Sequence, residues 1–147
     1  MYHDNKILMG KTSSGSKPVY IYPAMANRHG LIAGATGTGK TITLKVMAES
    51  FADMGVPVFL ADIKGDLAGM SLAGIAGTTA DSRIEKMQLR DIGFEFKGYP
   101  TNYWDIYGEA GMPLRTTVTE MGPLLLSRIL GLNATQTDIL TVIFKIA

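Results

Sequence analysis

Residues 31–42 read Leu-Ile-Ala-Gly-Ala-Thr-Gly-Thr-Gly-Lys-Thr-Ile, and Gly34 to Thr41 fit GxxxxGK[ST] at every position. The chemistry explains this composition. A polyphosphate must lie within hydrogen-bonding reach of several backbone N–H groups at once. Glycine permits positive φ and leaves no Cβ in the way. The pattern stands between a short apolar run, Leu31-Ile32-Ala33, and a stretch over 40–54 that reads as a helix. Strand, glycine-rich turn and helix is the setting that separates a phosphate site from a chance Gly/Thr turn. The helix then aims its N-terminal N–H groups and positive dipole end at the anion. This reading places the nucleotide phosphates on Gly34, Ala35, Thr36, Gly37, Thr38, Gly39, Lys40, Thr41 and Ile42. Lys40 reaches the β- and γ-phosphates and stabilises their charge, and the Thr41 hydroxyl ligates Mg²⁺.

Downstream, Ile42, Leu44, Val46, Met47, Ala48, Phe51 and Met54 cover much of the helix circumference, as expected beside a sheet. Gly55 is a stop signal and Pro57 prevents continuation. Val58-Phe59-Leu60-Ala61 reads as a second strand, apolar on both faces and suited to a buried parallel sheet. The centre of the chain is therefore expected to be a βαβ unit with a right-handed crossover. Asp62 ends that second strand, and ligands of open parallel sheets bind beyond the carboxyl ends of strands. It is a candidate third member of the site, either a partner of Mg²⁺ or its water, or a solvated turn residue or helix cap. Asp62-Ile63-Lys64-Gly65 also fits the DxxG loop of GTPases, but the NKxD that would read guanine is missing. Asn5-Lys6-Ile7-Leu8 lacks the Asp and lies upstream, which makes a GTPase the lesser alternative.

Residues 1–23 read as a hairpin of edge strands, at 6–9 and 18–22, joined by a Gly/Ser-rich turn over Lys11–Lys17. Val19 and Ile21 alternate with Tyr20 and Tyr22. Residues 24–147 read as the phosphate-loop core. Gly65–Gly77 is expected to be irregular, Thr79–Asp91 helical, and Tyr99–Tyr107 a surface strand around Trp104. Gly108–Pro113 is a turn, and Leu124–Leu130 and Ala134–Ala147 are helices. Asn133, with Gln136 three residues on, predicts a capping box. The last helix reaches Ala147 without a stop signal, so the chain is expected to be the N-terminal part of a longer protein, truncated at its C-terminus.

Composition limits the alternatives. Lys+Arg 14 against Asp+Glu 13 gives a net charge of +1, so no global charge draws the chain to nucleic acid or membrane. An apolar fraction of 46% supports a buried core and excludes wholesale disorder. The absence of Cys excludes disulfides, thiolate metal sites and a Cys nucleophile. No apolar run exceeds four residues, far below a spanning helix, and the polar start has no signal-peptide stretch. A soluble cytoplasmic protein is expected.

Polymer-moving ATPases add a hydrophobic strand ending in Asp-Glu, and none follows residue 62; Trp104-Asp105 lacks the Glu. The chain thus offers a phosphate cradle without an identifiable general base. His29 leads into the strand before the loop, and Arg28 could face nucleotide or a neighbouring subunit. Arg83, Arg115 and Arg128 are candidates for an arginine finger acting in trans, and the sequence selects none of them.

The segments Met25–Thr41, Gly55–Leu67, Trp104–Gly108 and Gly122–Ser127 resemble, in order, those of HerA-like ATPases of the YjgR type, in the HerA/FtsK superfamily. The similarity runs from about residue 20 to the end. It implies an ATP-binding RecA-like core, homo-oligomeric and often hexameric, in a superfamily of DNA-translocating motors. ATP and Mg²⁺ are the implied ligands, with Gly34 to Thr41 on the phosphates. A different class of reading remains beside it: a non-catalytic nucleotide-binding or self-association module.

Overall fold

The computed structural model describes residues 1–14 and 17–146 of an α/β chain. Its contacts divide the chain into two units, Met1–Thr101 and Asn102–Ala147.

In the first unit, strands β1 (Tyr2–His3), β2 (Lys6–Lys11) and β3 (Pro18–Ile21) form an antiparallel sheet in the order β1-β2-β3. Asp4 and Asn5 join β1 to β2 with φ of 48° and 57°, left-handed at both central positions. Such a two-residue turn matches the twist of the flanking strands, and Asp and Asn tolerate it. The expected hairpin is present, with a register shift between Leu8 and Gly10 and one strand more than anticipated. Of its Lys11–Lys17 turn, Gly15 and Ser16 lie outside the described residues. Pro18 and Val19 are exposed, so the anticipated alternation does not bury Val19.

Helix α1 (Lys40–Asp53) packs on β1 and β2. It ends where Gly55 turns left-handed at φ 76°. There Gly55 N–H donates to Ala52 O at 2.9 Å and Val56 N–H to Phe51 O at 2.9 Å. These are the two bonds of a Schellman stop, which glycine permits. Helix α2 (Thr79–Lys86) lays Ile84 against Leu8 of β2 and Leu89, closing a small core. Met1, Met87, Ile92, Phe94 and Phe96 pack around it, and the rings of Phe94 and Phe96 meet edge to face at 5.3 Å. Ile7 is 0% exposed. The Gly65–Gly77 stretch is irregular apart from a 3-10 turn at Ala68–Ser71, as expected.

Two expectations require correction. Leu31–Ala33 and Val58–Ala61 are not strands, so the described residues contain no parallel βαβ unit around α1. Leu31 is 89% exposed and Phe59 78%. A strand is defined by its ladder, and an apolar run supplies the side chains of a buried strand without supplying its neighbour.

In the second unit, β4 (Trp104–Asp105) and β5 (Met112–Pro113) pair in parallel. Parallel neighbours normally need a long crossover. Here a short loop suffices because the Asp105 carboxylate gathers it, accepting from the N–H groups of Tyr107, Glu109 and Ala110 at 3.0, 2.7 and 2.9 Å. These bonds hold the Asp105 carboxyl below its ordinary range. Helix α3 (Val118–Ile129) opens on a Thr117–Glu120 capping box and breaks at Gly122, with φ 71° and ψ 170°, before Pro123. Helix α4 (Ala134–Ile146) packs on α3. Its predicted box is formed: Gln136 N–H donates to Asn133 Oδ1 and Asn133 N–H to Gln136 Oε1, each at 3.0 Å. Ala147, which the sequence assigns to this helix, lies outside the described residues. Among the described residues no helix is long and apolar enough to cross a membrane.

Candidate functional site

The loop Gly34–Gly39 folds on one carbonyl. Ala35 O accepts from Thr38 Oγ1 at 2.8 Å, from Lys40 Nζ at 2.7 Å and from Thr38 N–H at 3.4 Å. Gly34 lies under this closure. A Cβ there would stand 2.6 Å from Thr38 Oγ1, nearer than real Cβ atoms come. Gly37 and Gly39 have φ of 80° and 96°, the region in which glycine alone is unstrained. Three of the glycines in the motif thus have separate local reasons.

Gly39 is the N-cap of α1 and has no side chain to cap with. Thr43 N–H donates to Gly39 O at 2.9 Å, so Lys40, Thr41 and Ile42 hold the N–H groups that helix geometry leaves without an acceptor. No acidic residue stands in the first turn of α1. Lys40 Nζ bonds a carbonyl rather than a carboxylate. The result is a local excess of positive charge at an exposed, water-accessible turn, which is an arrangement able to hold an anion.

Thr41 lines two concavities. One, of about 360 Å³, is shared with Gly30, Ile32, Lys40 and Leu44. The other, of about 220 Å³, is shared with Leu44, Ala61 to Lys64, Asp66 and Leu67. Asp62 therefore stands on the same cleft as Thr41 even though Val58–Ala61 forms no strand. Its carboxylate braces its own turn: Oδ1 accepts from Gly65 N–H at 2.9 Å and Lys64 N–H at 3.3 Å, and Oδ2 from Leu67 N–H at 2.8 Å. Hydrogen bonds to the charged form, led by that from Leu67, hold the Asp62 carboxyl below its ordinary value. These contacts tie Asp62 into the turn that follows it.

Arg83, the candidate finger that shares the first unit with the loop, is brought to it. Its Nη1 lies 3.7 Å from where a Cβ on Gly39 would stand. The sequence offers no signal for this, because α2 reaches the loop through the packing of Ile84 on β2. Arg28 and His29 are exposed, as are Arg115 and Arg128 in the second unit. Asp105 is held by its own loop. Among the described residues no group of three His, Asp or Glu side chains could hold a metal ion.

No curated protein and no solved structure matches this chain. The helicase HerA-like C-terminal family matches residues 7–147, which includes the glycine-rich loop, α1, the Asp62 turn and both helices of the second unit. Spanning nearly the whole length, that match makes the chain a member of the helicase HerA-like C-terminal family.

Proposed function

We propose that the chain binds ATP with Mg²⁺ through Gly34–Thr41 and Ile42, as part of a HerA-like motor of the YjgR type acting in the cytoplasm. The observation that carries this is the start of α1. It has neither a side-chain cap nor a first-turn acid, and it directly follows a loop with left-handed glycines at 37 and 39. An anion is the partner that resolves such an end. Lys40 leaves Ala35 O to take up the terminal phosphates, and Thr41 offers its hydroxyl to the metal. Asp62, on the same cleft, holds the Lys64–Leu67 turn beside it. The bound Mg²⁺ would supply charge neutralisation between phosphate oxygens.

The fold that suits this function is a RecA-like phosphate-loop core, assembled as a homo-oligomer, hexameric in the HerA-like manner. Coupling of ATP hydrolysis to movement of DNA is the activity we propose for the assembly. Support for the oligomer comes from the exposure of Leu31, Phe59 and Ile63, the last at 99%.

Calorimetric titration with ATP and GTP, with and without Mg²⁺, tests the reading on the unsubstituted chain and on Lys40→Ala. ATP is expected to bind in preference to GTP. The variant should bind ATP about 1.5–3 kcal/mol more weakly, roughly ten- to 150-fold. A folded sample that binds no nucleotide refutes the proposal, and a preference for GTP would favour the DxxG alternative. Light scattering on the same sample should report an oligomer, and a monomer at high concentration removes that part.

A further inference from the structure

We propose that Arg83 is a second phosphate-contacting cation of the nucleotide site, supplied by the same chain rather than by a neighbouring subunit. The proposal rests on the ATP reading above and adds a residue that the glycine-rich motif does not contain. Three observations carry it. First, Arg83 Nη1 approaches the α1 N-terminus, 3.7 Å from where a Cβ on Gly39 would stand. Second, Arg83 has no carboxylate partner among the described residues, whereas Arg90, just beyond α2, is paired with Asp81 at 3.2 Å. Third, Lys40, Arg83 and the dipole end of α1 gather where the sequence from 34 to 43 holds no acid.

Three sources of positive charge repel one another, and helix α2 holds the arginine there through Ile84, buried against Leu8 and Leu89. A polyphosphate relieves that repulsion. Guanidinium is suited to it because its planar fork donates to two oxygens at once. Arg83 is exposed, so its contact is partly screened by water and salt, which sets the size of the effect at about tenfold.

The test compares ATP affinity of the full chain with that of Arg83→Ala and Arg83→Lys, across a range of salt concentrations. Circular dichroism serves as the control for folding, since Ile84 rather than Arg83 packs the core. Arg83→Ala should bind ATP about tenfold more weakly, Arg83→Lys should recover part of the loss, and the alanine variant should show the shallower salt dependence. An Arg83→Ala variant that binds ATP as tightly as the unsubstituted chain overturns the assignment alone. So does a loss that is the same at every salt concentration. Failure of the unsubstituted, folded chain to bind ATP overturns both this proposal and the nucleotide reading beneath it.

Discussion

Replacing Gly34 by alanine should damage the phosphate loop through one identifiable contact. The new Cβ would stand 2.6 Å from Thr38 Oγ1, and ordinary contact begins near 3.4 Å, so the hydroxyl must retreat by about 0.8 Å. That hydroxyl donates to Ala35 O at 2.8 Å. Losing the bond costs about 0.5–1.5 kcal/mol, and an off-rotamer threonine costs a further 0.5–1.5 kcal/mol. ATP affinity should therefore fall by about 1–3 kcal/mol, roughly five- to 150-fold. The melting temperature should change little, because the loop is exposed and touches none of the buried core. The decisive comparison adds Thr38→Ala. With Oγ1 removed, the nearest remaining atoms are the Cβ at position 38, at 3.5 Å and kept by alanine, and Lys40 Cγ at 3.7 Å, both ordinary contacts. The double variant should then bind ATP as well as Thr38→Ala alone. Calorimetry on the four proteins completes the cycle. Wild-type affinity in Gly34→Ala, or no recovery in the double variant, would refute the steric argument.

Two further outcomes are expected. The Asp62 carboxyl is held below its ordinary value of 3.8 by backbone N–H donors, so its contribution to the Lys64–Leu67 turn is present above pH 3.8 and lost as pH falls through the lower folded value. An NMR titration of the Asp62 side chain should show its inflection below 3.8, and an inflection at or above that value removes the bracing role. Asn133→Ala deletes one half of the formed capping box and should destabilise α4 by about 1 kcal/mol. Amide exchange at the start of α4 would rise about fivefold for such a loss, and unchanged protection would mean that packing on α3 alone holds that end.

What the sequence by itself determined were the features whose causes lie within a few residues. The span of α1, the glycine stop at Gly55, the Asn133–Gln136 box and the first hairpin follow from local backbone preferences, capping and turn chemistry. The glycine-rich loop was legible for the same reason, since Gly37 and Gly39 adopt angles that only their own lack of a side chain makes easy. The Thr117–Glu120 box, equally local, was there to be read at its spacing of three. Pairing was not legible. Leu31–Ala33 and Val58–Ala61 carry the composition of buried strands, yet a ladder requires a neighbour that composition does not name. Tertiary structure alone decided that Asp62 and Thr41 share a cleft, and that Arg83 comes to the loop. Arg83 is 44 residues from Gly39. Nothing local links them, and they meet because Ile84 is anchored on β2 and α1 packs on the same strand.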